Sequence, residues 1–150
     1  MSPPVAPEES DATADLVLGW ADAWNACDVD GILALVHPDF RMHRMKGDVI
    51  DREGLADAVQ RQTYGAAMKI FPSRLYGRGD KFAVAARIEY RHVEEDELVG
   101  ATDDGGMALE LRDGAVVFAA PQLTAADALE RAGLTEDDRI FEWTGPGTAI

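Results

Sequence analysis

One cysteine, Cys27, is all the thiol the chain carries, so no disulfide can close within it. That content suits a reducing, cytoplasmic setting. Long apolar runs are missing too: none approaches the roughly 20 residues that a membrane helix needs, and no membrane partner is expected. Residues 1–40 contain neither Lys nor Arg, and 28 acids against 14 bases leave a formal net charge of −14. A phosphate backbone would be repelled by such a chain, which argues against nucleic acid as a partner. No glycine-rich phosphate loop is present, because Gly77 and Gly79 fall on a hairpin rather than ahead of a helix. Metal-ligand spacing is lacking as well. His37 and His43 are at neither helical nor hairpin spacing, and Glu94–Glu97 reads as a loop of solvated acids. Neither a metal nor a cofactor is therefore expected. Met1–Ser10 has no basic or apolar leader pattern and reads as a disordered lead rather than a signal peptide.

What is present describes one domain of 150 residues, 47% apolar, enough to bury a core without covalent staples. Leu16, Trp20, Trp24 and Cys27 recur at helical spacing, predicting a first helix from about Asp11 to Cys27 with Cys27 as a buried structural thiol. Asp28 is a natural cap for a helix over Val29–Val36, ended by Pro38. A strand should follow, with Phe40, Met42 and Arg44 on one face and Arg41, His43 and Met45 on the other. Asp51 caps a third helix, Leu55 and Val59 inward, ending near Tyr64-Gly65. From Ser73 the period becomes two. Ser73–Arg78 and Lys81–Val93 read as a hairpin across Gly79-Asp80. The long second strand carries Phe82, Val84, Ala86, Ile88 and Tyr90 on one face, and Ala83, Ala85, Arg87, Glu89 and Arg91 on the other. A polar loop over Glu94–Gly105 leads to a second hairpin, Met107–Leu111 with Ala115–Ala119. Thr124 then caps a last helix, Ala125–Ala132, stopped by Gly133. Residues 11–134 thus form the domain, and residues 135–150 a tail. Leu16, Trp20, Trp24, Ile32, Leu35, Val59, Val84 and Ile88 are the expected core.

The stretch from Trp20 to Phe40 carries a resemblance. A helix, the Asp28-Val29-Asp30-Gly31 corner, a short apolar helix and the His37-Pro38-Asp39-Phe40 exit resemble the opening of the nuclear transport factor 2-like superfamily, in its SnoaL-like and ketosteroid isomerase-like branch. The resemblance implies an α+β cone, with N-terminal helices packed on a curved, mostly antiparallel sheet. One pocket would open between the first helix, the third helix and the concave sheet face. Enzymes of this branch carry out proton transfer, ring closure, dehydration or epoxide opening with ionisable side chains held in the cone. The same fold also serves as a non-catalytic binding or dimerisation module.

Carried over residue by residue, the resemblance leaves the chemistry open. Aligned on Asp28–Leu35, the phenol donor of a ketosteroid isomerase falls on Trp20, its carboxylate base on Arg44 and its second carboxylic acid near Met107. None of the three matches. Arg87-Ile88-Glu89 resembles the Arg-x-Asp element of limonene epoxide hydrolase-like proteins, whose second carboxylate would fall near Pro121. Among the imidazoles, His37 should interact with the end of the short helix and His92 should lie near the rim of the long strand. His43 is the best pocket candidate, although alternation with Phe40 and Met42 favours Arg44 as the inward residue. The catalytic expectation is His43 or Glu89 as general base, with Arg44 or Arg87 stabilising an oxyanion. Trp20, Trp24, Phe40, Met42, Tyr64 and Met107 would line the site for a small, largely apolar organic ligand. The alternatives are a binding module and an epoxide hydrolase-like enzyme. A homodimer through the sheet is expected, since the helices cover only one of its faces.

Overall fold

Pro7 occupies the first turn of helix α1 (Pro7–Asn25), where its missing N–H goes unneeded, and Glu8 and Glu9 complement the positive helix end. The helix therefore starts before Asp11. The computed structural model describes residues 4–61 and 66–143. α1 stops at Asn25 because Cys27 turns left-handed, with φ of +55°. The Cys27 N–H donates to the Trp24 carbonyl at 3.1 Å, and the Asp28 N–H to the Ala23 carbonyl at 2.8 Å, a closed C-terminal turn. Cys27 is thus half-buried beyond the helix end rather than part of its buried stripe.

Helix α2 (Val29–Leu33) is capped by Asp28, whose Oδ1 accepts from the Gly31 N–H at 3.0 Å. It ends three residues earlier than expected. The Leu35 carbonyl already accepts from the Val116 N–H, and strand β1 (Val36–His43) begins at once. Pro38 sits in a register break between the Val36–Val116 and Arg41–Phe118 pairs, a bulge where a residue without an N–H is tolerated. His37 consequently belongs to β1, and its Nδ1 accepts from the Asp39 N–H at 3.0 Å rather than serving a helix end. Strand β2 (Val49–Asp51) returns beside β1, and Asp51 caps helix α3 (Arg52–Gln60) by accepting from the Gly54 N–H. The expected end of this helix at Tyr64-Gly65 lies outside the described residues.

The remaining strands are β3 (Ala66–Arg78), β4 (Lys81–His92), β5 (Leu98–Arg112), β6 (Ala115–Gln122) and β7 (Arg139–Glu142). They complete one sheet in the order β2-β1-β6-β5-β4-β3-β7, antiparallel except for the β1–β6 pair. Three expectations need correcting. β3 starts well before Ser73, because Pro72 sits next to a bulge rather than ending the strand. The predicted loop before Met107 is largely the outer half of β5. Gly105 in it is packed, not turned: an added Cβ would lie 2.7 Å from Ile88. The segment after Leu134 forms a 3-10 turn and β7, which extends the sheet at Arg74–Tyr76.

Helix α4 (Ala125–Ala132) has the predicted Thr124 cap and left-handed Gly133 stop. It lies on the outer sheet face, burying Ala125, Ala128 and Leu129 against Tyr76, Ala83 and Ala85. On the other face the main core gathers Val17, Trp20, Trp24, Phe40, Leu55 and Val84. Leu16, Leu35 and Ile88 are only half-buried at its margin. The C-terminal turn of α1 covers the edge of β3 that no strand pairs. Trp24 Nε1 donates to the Met68 carbonyl at 3.1 Å. Asn25 exchanges two hydrogen bonds with the Ile70 backbone, at 2.8 and 2.7 Å. An edge strand satisfied by side chains is shielded from pairing with another molecule.

Candidate functional site

Alternation along β4 decides which side chains reach the concave side. Val84, Ala86, Ile88 and Tyr90 do so, and with α1, α3 and the facing parts of β1, β3, β5 and β6 they enclose a cavity of about 350 Å³. That volume falls at the lower end of the range for single-ligand pockets. The lining is mostly apolar, and sulfur is prominent in it. Met42, Met45, Met68 and Met107 all face the cavity, leaving only Met1 of the chain's five methionines. Trp20 and Trp24 form the α1 wall. Phe40 is fully buried behind it, its ring centroid 6.2 Å from that of Trp20, so it supports the wall without lining it. Trp20, Arg44 and Met107, the positions aligned with the three isomerase residues, all border this one cavity.

Polar groups reach the cavity at few points: Arg44, Arg61, Tyr90, Thr102 and Gln122. Arg44 follows β1 and is held by Asp48 across the turn to β2. Its Nε lies 3.1 and 3.0 Å from the two Asp48 oxygens, and Nη2 is 2.5 Å from Oδ2. These bonds raise the Arg44 pKa and lower that of Asp48, so both stay charged near neutrality. Among the described residues, no carboxylate and no imidazole lines the cavity.

The other catalytic candidates lie elsewhere. His43 points to the outer face, its ring 5.0 Å from that of Phe118 and its Nδ1 3.3 Å from Arg131 on α4. Arg87 and Glu89 also project outward. Glu89 accepts from Arg91 Nε at 2.8 Å and from Arg87 Nε at 2.9 Å, and Arg87 reaches on to Asp103. Arg91, then Arg87, hold the Glu89 carboxyl below its ordinary range despite its partial burial. A carboxylate so stabilised is a poor base. The Arg87–Glu89 element thus lacks the placement an epoxide hydrolase-like site requires, while Ile88 between them lines the cavity. His92 is exposed, beside a second hollow bordered by Asn25, Cys27, Lys69 and Arg91. Tyr64 lies outside the described residues. Met45, Met68, Ile70 and Arg61 were not anticipated as lining residues. Alternation sets Met45 on the face opposite Arg44, but it follows the end of β1, in the turn to β2, and reaches the cavity as well.

Solved structures with the same architecture are numerous and distant in sequence. A ketosteroid isomerase-like hypothetical protein of Catenulispora acidiphila, in complex with trimethylamine, is 19% identical, with a TM-score of 0.60 over 87% of this chain and 97% of its own. A putative polyketide cyclase of Xanthomonas campestris is 17% identical, with a TM-score of 0.62 over 81% and 97%. TerC, co-crystallised with polyporic acid, is 18% identical, with a TM-score of 0.61 over the same shares. Among curated proteins none is significantly similar in sequence. No described helix is long and apolar enough to cross a membrane. The SnoaL-like domain model matches residues 17–119, the span from the second half of α1 into β6 that holds most of the cavity lining, and the chain belongs to that family.

Proposed function

We propose that this SnoaL-like domain is a binding protein for one small, largely apolar organic molecule. The observation that carries the reading is the lining itself. Four methionines and two tryptophans surround a cavity of about 350 Å³. Thioether side chains are flexible and polarisable, so they adapt to an apolar body and make favourable contacts with rings. Structural neighbours named as holding trimethylamine or polyporic acid support a small ligand. The test is fluorescence titration with N-phenyl-1-naphthylamine, comparing the parent with Ala58→Trp, which would fill the α3 side of the cavity. Saturable binding by the parent, lost in a folded Ala58→Trp, supports the reading. Binding that the substitution leaves intact contradicts it.

A second reading is a cyclase, isomerase or dehydratase, favoured by the neighbours named as putative polyketide cyclases. Arg44 is then the group that holds the oxygen of a substrate that enters already ionised as its enolate, because no described lining residue could take the proton. No step through His43 or Glu89 is proposed. Turnover of a cyclisable polyketide analogue, abolished in Arg44→Met, would favour it over simple binding. We further propose a cytoplasmic homodimer. The outer-face cluster of Arg87, Glu89 and Arg91 supports pairing there, because charged networks suit a polar interface.

A further inference from the structure

Net charge and cavity charge have opposite signs in this protein. The chain carries twice as many acids as bases, 28 against 14. Yet the only formal charges among the described lining residues are two guanidinium groups, Arg44 and Arg61. Each is paired with an acid outside the lining: Arg44 with Asp48, and Arg61 with Asp57 at 2.9 Å. Such pairs are neutral as a whole, but their positive ends border the cavity and set its local field.

Arg44 is the better placed of the two. Its side chain is about one-third exposed, at 34%, whereas that of Arg61 is 74% exposed and sits at the mouth. Asp48 uses Nε and Nη2 of Arg44. Nη1 has no protein acceptor among the described residues. Asp48 therefore fixes the guanidinium plane without exhausting its donors, and removes the entropy loss that orienting a free arginine would incur on binding. A guanidinium donor on a side chain only one-third exposed, beside apolar walls, is best satisfied by an anionic oxygen. Such a charge-assisted bond is about twice as strong as a neutral one. A cationic ligand would meet two like charges.

Resting on the binding reading above, we infer that the ligand is an amphipathic organic anion. Its apolar body lies among the methionines and tryptophans, and its single acidic group, a carboxylate, a sulfonate or an ionised enol or phenol, is held by Arg44 with Arg61 at the entrance. This makes Arg44 a determinant of specificity: it selects acids over neutral or basic molecules of the same shape.

Two fluorescent probes separate this inference from the reading beneath it. N-Phenyl-1-naphthylamine is neutral, and 8-anilinonaphthalene-1-sulfonate has the same ring system with a sulfonate added. With the parent protein, both should bind. Arg44→Met should weaken the sulfonate about tenfold more than it weakens the neutral probe, so that the difference between the two reads the charge. Arg44→Lys should restore most of the loss. On the unaltered protein, added salt should weaken the sulfonate only, a readout that needs no variant to fold. Ala58→Trp should abolish sulfonate binding, which locates it in the cavity. If the neutral probe fails to bind while the sulfonate keeps its dependence on Arg44, salt and Ala58→Trp, the apolar reading falls and the anion inference stands. If Arg44→Met and salt leave the sulfonate unchanged, or Ala58→Trp leaves it bound, the inference is overturned.

Discussion

Trp24 tests the packing of the cavity wall, because one side chain there has two separable duties. It is 7% exposed, its ring walls the cavity, and its Nε1 donates to the Met68 carbonyl at 3.1 Å on the unpaired edge of β3. Truncating a packed Trp to Ala costs about 3–5 kcal/mol. Part of this ring faces open space, so it lacks neighbours on that side and the packing loss should be near the lower end, about 3 kcal/mol. Loss of the bond to Met68 adds about 1 kcal/mol. Trp24→Ala should therefore destabilise by about 4 kcal/mol, and Trp24→Phe, which keeps most of the ring contact, by about 1–1.5 kcal/mol. For a domain of this size the Ala variant should melt about 8–16 °C lower. Urea unfolding followed by far-ultraviolet circular dichroism reads both values, with equal slopes expected. A loss below about 1 kcal/mol for Trp24→Ala, or equal losses for the two variants, would refute the assignment of both duties.

The sheet is one backbone thick between the cavity and α4 at Gly106, where a Cβ would meet Ala128, Ala125 and Thr124 at 2.8–2.9 Å. Gly106→Val should therefore destabilise by about 2–3 kcal/mol in a denaturant titration, and a neutral result would mean α4 is loosely docked. Asp138 accepts from the Thr135 N–H and from Arg78, each at 2.9 Å, and Thr135 first, then Arg78, lowers its pKa. The stability it contributes is present above the ordinary aspartate value and lost as pH falls through the lower folded value. Asp138→Asn should thus melt below the parent at pH 7, and the gap should close as pH falls below the ordinary aspartate value and on through the lower folded one; a gap independent of pH would contradict this. Light scattering at micromolar concentration should give twice the mass of one chain, and Arg87→Glu with Arg91→Glu should give a monomer. A parent protein that is itself monomeric would refute the dimer.

Local signals were legible where the residue in question acts on its own neighbours. The caps at Asp28, Asp51 and Thr124 and the stop at Gly133 each concern a few adjacent backbone groups, and all are present. Alternation grouped Val84, Ala86 and Ile88 on one face of β4 but left open which face meets the cavity, and in β1 it favoured Arg44 over His43 as the inward residue. Residues whose local meaning depends on distant partners were misread. Pro38 reads as the stop of a helix and Ser73 as the start of the next long strand, yet Pro38 lies in a bulge of β1 and β3 runs through Pro72 beside another, which only strand pairing reveals. Gly105 and Gly106 look like a loop, but they let Ile88 and α4 approach the sheet closely. Ile140 and Phe141 look like a tail until β3 supplies the edge they join. In the site, the lining methionines are spread over β1, the turn after it, β3 and β5, so no single window of sequence brings them together.

The lining methionines also provide the most direct test of a ligand cavity. Protein labelled with [13C-methyl]methionine gives resolved methyl resonances that can be assigned by substituting each methionine in turn. On titration with N-phenyl-1-naphthylamine, the Met42, Met45, Met68 and Met107 signals should shift together along one saturation curve, matching the fluorescence titration, since all four line the one cavity. Binding seen by fluorescence while those four signals stay still would place the probe elsewhere and contradict the account.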